Sequence, residues 1–268
     1  MSDIQTGSGG DITVSAPMSV GLGVGQNNLV MGLHLSISGK AAKGETFQVI
    51  VMNSSGNINV SDAGGVQISG ARPTCITLTG TLMQVNAALA TLTDQESGSG
   101  TDTLTTVASD SLGDNTPTLD SPITIAGMPS IRAPASETVT AGVATPLAGL
   151  AVTETDHAAR ETFTVTLTDA SGVFAEADAG SKGSGTNSLT IHGDLATVDR
   201  DLKALSLAAG GADTIVERVT DSLGNAAGPL SIPVAVLVPA ARFTQAAPIR
   251  EAAFTPHLLL AVGHSAIA

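Results

Sequence analysis

Self-similarity constrains this chain more than any other feature, because a segment that recurs in the same order must build one folding unit twice. Gly44-Glu45-Thr46-Phe47 returns as Arg160-Glu161-Thr162-Phe163, and Gly32-Leu33 as Gly149-Leu150. Leu78-Thr79-Gly80-Thr81-Leu82 returns as Ile191-His192-Gly193-Asp194-Leu195. Asp102-Thr103-Leu104 returns as Asp213-Thr214-Ile215, and Asp110-Ser111-Leu112-Gly113 as Asp221-Ser222-Leu223-Gly224. The offset drifts only from about 117 to about 111 residues, so two copies of a domain of about 115 residues follow.

Inside each copy the hydrophobic period is two, the mark of half-buried strands. Thr162-Phe163-Thr164-Val165-Thr166-Leu167-Thr168 puts Phe163, Val165 and Leu167 on one face and threonines on the other. Threonine suits the wet face, since its branched carbon fits the pleat and its hydroxyl meets water. Runs such as Asn53-Ser54-Ser55-Gly56 and Ser181-Lys182-Gly183-Ser184-Gly185 supply turns, which gives short strands at the spacing of a β-sandwich. One segment per copy changes period. Leu82, Val85, Leu89 and Leu92, matched by Leu195, Val198, Leu202 and Leu205, predict a short helix between late strands. Thr81 with Gln84 forms a capping box, and Asp194 caps the second helix.

The expected organisation is all-β: 1–10 a flexible N-terminus, 11–127 the first sandwich, 128–239 the second, and 240–268 an irregular C-terminal arm or linker. Ala126-Gly127-Met128-Pro129 marks the boundary between the copies. Leu258-Leu259-Leu260-Ala261-Val262 is apolar but too short to cross a bilayer, and no run elsewhere is long enough. Met1 to Gly10 lacks a basic region followed by an apolar one, so either a longer parent protein or another export address is expected.

Composition narrows the function classes. Hydrophobic residues are 42%, but aromatics only 2%, with five Phe and neither Trp nor Tyr, so the core is aliphatic and the surface lacks the usual binding anchors. With 24 Asp and Glu against 11 Lys and Arg the net charge is −13, which repels phosphate backbones and excludes nucleic acid as a partner. Cys75 is the only cysteine and sits in an alternating run, so it reads as a strand residue and not as a nucleophile or thiolate ligand. His34, His157, His192, His257 and His264 show no metal-ligand spacing. Gly21, Gly23 and Gly25 lack the third spaced glycine of a dinucleotide fingerprint, and no catalytic motif is present, so no enzyme is expected.

The segment Leu78-Thr79-Gly80-Thr81-Leu82-Met83-Gln84-Val85-Asn86-Ala87-Ala88-Leu89, then Asp102-Thr103-Leu104 leading to Ala108-Ser109-Asp110-Ser111-Leu112-Gly113, resembles the cadherin-like and NG2-type, Ig-like repeats of large bacterial surface and type I secreted adhesins. The resemblance covers about 230 residues. It implies an extracellular or cell-surface stalk or adhesive array whose partners are neighbouring repeats, copies of itself, or a surface glycan or protein. It also implies calcium held by acidic residues at domain ends. Asp94-Gln95-Glu96 resembles the family's Asp-Arg-Glu signature, Asp110 ends the following strand, and Asp221 matches it in the second copy. Asp94, Glu96, Asp110 and Asp221 are therefore the candidate calcium ligands, the first three expected near one junction, since a hard cation takes six to eight oxygens. The pattern departs in two places: Ser206-Leu207-Ala208 replaces the acidic triplet, and Ile125 to Pro134 holds no Asp or Glu. The competing expectation is that Asp110 and Asp221 only close the Asp-Ser-Leu-Gly turns.

Glu154 and Asp156 are loop carboxylates within reach of a cation, or simply solvated charges. Glu217 falls on the buried face with Ile215 and Val219, where a carboxylate is costly unless Arg218 or Arg200 pairs with it; a local register shift turning Val216 inward is the expected escape. The leading function is a structural or adhesive module. Its rivals are a calcium-dependent glycan- or protein-binding domain and a filament or surface-layer subunit whose tail donates a strand.

Overall fold

The computed structural model describes residues 3–9, 11–61, 64–70, 73–175 and 181–239. The chain divides into two units, Met1–Val238 and Pro239–Ala268. The C-terminal arm and its apolar stretch lie outside the described residues.

The first repeat runs β1 (Ile4–Gly9), β2 (Ile12–Pro17), β3 (Val20–Gly23), β4 (Asn28–Leu29), β5 (His34–Ile37), β6 (Phe47–Met52), β7 (Asn57–Asn59), β8 (Gln67–Ser69), β9 (Cys75–Gly80), α1 (Leu82–Leu89), β10 (Thr93–Gln95), β11 (Gly100–Asp110) and β12 (Leu119–Ala126). The second runs β13 (Ser130–Arg132), β14 (Glu137–Thr140), β15 (Thr145–Pro146), β16 (Ala151–Thr153), β17 (Phe163–Thr168), β18 (Val173–Ala175), β19 (Ser188–Gly193), α2 (Leu195–Lys203), β20 (Ser206–Ala208), β21 (Asp213–Asp221) and β22 (Ala226–Leu237). The main sheets share one topology. The order β3-β12-β11-β6-β9 in the first, where β8 adds a sixth strand beyond β9, is β14-β22-β21-β17-β19 in the second, with β3 parallel to β12 and β14 parallel to β22. The small sheets match too, β4-β10-β7 against β15-β20-β18.

Each repeat has its own apolar cluster, one spanning Ile12 to Ile125 and the other Val139 to Val234. Phe163, Val165 and Leu167 are buried and the flanking threonines are not, so the two-residue alternation decided the faces. Both helices lie where the period changes. Thr81 accepts from the Gln84 N–H while the Gln84 side chain accepts from the Thr81 N–H, and the Asp194 carboxylate accepts from Thr197 N–H at 2.8 Å. Val85, Leu89, Val198 and Leu202 point inward.

Two places differ from expectation. Residues 4–9 carry no apolar alternation, yet they form β1 along β2, and the Gln5 side chain anchors the strand by donating to the Asp120 carbonyl at 2.8 Å and the Ser121 hydroxyl at 3.2 Å. In β21 a register shift does occur, between Glu217 and Val219, but it does not turn Val216 inward. Glu217 stays inside with 0% exposure, and both carboxylate oxygens are without a partner. Arg218 is exposed and Arg200 instead bonds Asp201, so neither arginine plays the expected role.

Candidate metal centre

Among the described residues the four expected ligands fall into three separate carboxylate groups, and Asp169 with Asp213 forms a further pair that holds none of them. Asp94 and Glu96 come together at the end of the first repeat where β10 meets β7. There the Asn53 amide donates to both Asp94 oxygens at 3.0 and 2.9 Å and to Glu96 Oε1 at 3.4 Å. The Ser55 hydroxyl lies 3.1 Å from Glu96 Oε2 and 3.0 Å from Asp102 Oδ2, with one proton to share between them. Asp102 also accepts backbone N–H bonds from Ser54, Ser55 and Thr103. Burial works to raise the Asp102 carboxyl, but these bonds outweigh it and hold the group below its usual range. Burial raises Asp94, with the Asn53 amide opposing, and burial with the Asp94 charge pushes Glu96 up to about 7. An added Cβ at Gly56 would overlap Asn53, Asp94 and Glu96, so only glycine closes this cluster. An open groove of about 530 Å³ lies beside it, with Ser55, Gly56 and Glu96 in the wall. Each carboxylate oxygen of Asp94 and Glu96 lies within hydrogen-bond distance of the Asn53 amide or the Ser55 hydroxyl, which share three protons among them.

Asp110 is not part of that group. Eight residues of extended β11 separate it from Asp102, a span of about 26 Å at roughly 3.3 Å per residue. The expectation of Asp94, Glu96 and Asp110 around one junction is corrected by that length of strand. Asp110 instead meets Asp11 and Asp114, with one carboxylate oxygen of each within 4.8 Å of the others. The Asp114 contact, followed by burial, raises the Asp11 carboxyl, and the charge of Glu45 adds to the rise.

Asp221 occupies the matching place in the second repeat, where it meets Glu154 and Glu161 within the same 4.8 Å. Burial, then the charges of Glu161 and Asp221, pushes Glu154 up to about 8. Burial raises Glu161 as well, against the Ala158 N–H bond and the nearby His157, which lower it. The turn-closing reading also holds. Asp110 Oδ1 accepts from the N–H groups of Leu112, Gly113 and Asp114, and Asp221 Oδ1 from those of Leu223 and Asn225. Each turn consumes one oxygen. Oδ2 of both residues is buried without a partner.

Glu45 and Glu161 were missed as a pair by sequence reasoning, although they stand in the repeated Glu-Thr-Phe segment. Each holds a loop through Oε2, from Ala42 N–H at 2.5 Å and from Ala158 N–H at 2.8 Å, and leaves Oε1 buried and unpartnered. Asp156 is exposed beside the Glu154 group, and His34, His157 and His192 are exposed; His257 and His264 lie outside the described residues.

The second repeat's turn sits against the first repeat. Asn28 donates to the Leu223 carbonyl at 2.8 Å, Asn225 donates to the Gly127 carbonyl at 3.1 Å, and Gly127 N–H donates to the Thr155 carbonyl at 2.9 Å. Gly21 and Gly23, the residues of the failed dinucleotide pattern, serve this approach. A Cβ at Gly21 would lie 2.9 Å from the Ala158 Cβ, and one at Gly23 would lie 2.8 Å from the Asn225 amide and 3.0 Å from the Leu223 carbonyl. Arg160 pairs with Asp3 across the same contact at 3.5 Å, an exposed pair that adds little.

No family model matches the chain, and no curated protein does. Among solved structures, a three-domain Ig fragment of titin, I67-I69, is 10% identical with a TM-score of 0.36, over 89% of this chain and 66% of that one. The fibronectin(III)-like modules of Clostridium thermocellum CbhA are 15% identical with a TM-score of 0.32, over 85% and 94%. Drosophila N-cadherin EC1-3 is 14% identical with a TM-score of 0.23, over 83% and 65%. Identities this low carry no information on ligand or partner.

Proposed function

We propose that the chain is a structural spacer, a tandem β-sandwich segment of a repetitive extracellular protein that holds its neighbours at a set distance and angle. The observation that supports it is the fitted contact between the repeats. Side-chain amides of Asn28 and Asn225 reach backbone carbonyls of the other repeat's side, and Gly21 and Gly23 remove the side chains that would keep Ala158 and Asn225 away. A tether that merely joined two domains would need none of these bonds. The acidic, threonine-rich strand faces suit a surface exposed to water and salt.

Spin labels placed at Met83 and Val173, both exposed, in a Cys75→Ser chain test the reading. A spacer gives a single narrow distance distribution by pulsed electron resonance. A broad distribution would mean that the repeats swing freely, and the proposal would fail.

A further inference from the structure

We propose that the outer face of the first repeat's main sheet binds the same face of a second copy of this chain, sheet packed on sheet about a two-fold axis. Strand alternation buries Phe47, Val49 and Val51, so Ile50 and Met52 stand on the opposite face of β6. Val107 on β11 and Cys75 on β9 are turned the same way, since their neighbours Thr106, Ala108 and Ile76 are buried. The register joins the four. Val107 lies opposite Ile50 and Met52 opposite Cys75, and directly opposed residues bring their Cβ atoms to about 5 Å. Each is half-buried, and together they form one apolar strip across three strands, on the face that an antiparallel sheet ordinarily gives to polar residues.

The second repeat shows that the fold does not require this strip. Its register sets Thr166 against Arg218 and Thr168 against Ser188, in the places of Ile50 against Val107 and Met52 against Cys75. The apolar side chains of one copy are thus Thr, Arg, Thr and Ser in the other, and none of the four lies in the segments that carry the family resemblance. Charge and area point to a second copy as the occupant. Two chains of net charge −13 repel, but this face adds little to the repulsion: among the outward residues of β12, β11, β6, β9 and β8 only Asp120 is charged, at the border, where the Thr105 hydroxyl donates to it at 2.8 Å. Five strands about 4.8 Å apart and about 20 Å long give a footprint of roughly 500 Å², so a pair covers about 1,000 Å², the least that a specific contact needs. An identical face supplies the flat, uncharged surface that stacks on it at about 10 Å, and a contact of this size is transient.

Sedimentation velocity of the full chain, from micromolar to millimolar protein, tests the proposal. Wild type should pass from monomer to dimer. A chain carrying Ile50→Thr and Val107→Arg, the residues that the second repeat accommodates at the same positions, should keep its circular dichroism and associate at least about tenfold more weakly, because each arginine would lie unpaired in an apolar contact. Arg218→Ala, on the second repeat, should leave association unchanged. Cys75 supplies a readout that needs no substitution: in a short pulse of excess maleimide, the fraction alkylated should fall as the concentration of wild type rises. Four results would each overturn the face: a wild type that stays monomeric at millimolar concentration, a folded double variant that dimerises as well as wild type, a loss of association in Arg218→Ala, or alkylation of Cys75 independent of concentration. A joint found to swing freely would remove the spacer and leave these outcomes as they stand, since the face lies within one repeat.

Discussion

Glu217 pits two rules against each other. Strand alternation sends it inward with Ile215 and Val219, while the cost of burying a charge argues for turning it out. Alternation prevails because turning one residue out would displace every side chain beyond it, whereas a carboxyl can take up a proton. Burial alone pushes its carboxyl up to about 7 from 4.5. The folded chain therefore binds this proton more tightly than the unfolded chain, and stability falls as pH rises from 4.5 through about 7. Glu217→Leu should remove that loss, stabilising the protein by up to about 3 kcal/mol near neutral pH and by little at pH ~4. Urea unfolding of both chains across this range checks it, and a gain independent of pH would show that packing is responsible. The matching position in the first repeat is Thr106, also fully buried with an unpartnered hydroxyl, so a polar residue stands at this core position in both copies.

At the scale of elements, the helices and the long strands were legible because each declares itself by periodicity over several residues. Leu82, Val85 and Leu89 could not serve a strand, and the caps at Thr81 and Asp194 follow from side chains next to the backbone they satisfy. Replacing either cap by alanine should cost about 1 kcal/mol, measured by chemical denaturation. Asp194→Asn should retain most of that stability. Strand β1 was not legible, since its pairing rests on backbone bonds and one glutamine reaching the residues of β12. The carboxylate groups were half legible. Asp110 and Asp221 could be singled out from the repeated turn, but Glu154 and Glu161 reach Asp221 only because β16, β17 and β21 end at one edge of the sandwich, which linear spacing does not reveal.

For the whole molecule, the informative contact is the one between repeats, whose glycines looked like a failed nucleotide motif until the partner surface was in view. Gly23→Val places a side chain against Asn225 and the Leu223 carbonyl, yet valine suits an extended strand, so the first sandwich itself should survive. The expected result is a widened distance distribution between labels on the two repeats, with circular dichroism unchanged. A distribution as narrow as that of the parent would show that the glycine is dispensable.

The register of the main sheets carries a consequence for assembly. Val20 lies opposite Ile123, which pairs Asp102, and Glu137 lies opposite Val234, which pairs Asp213, so Gly21 and Gly23 correspond to Thr138 and Thr140. The socket moulded into the first sandwich is thus filled in on the second. A second module stacked on another copy of itself would therefore meet Thr138 and Thr140 where this joint has glycines, and would not regenerate it.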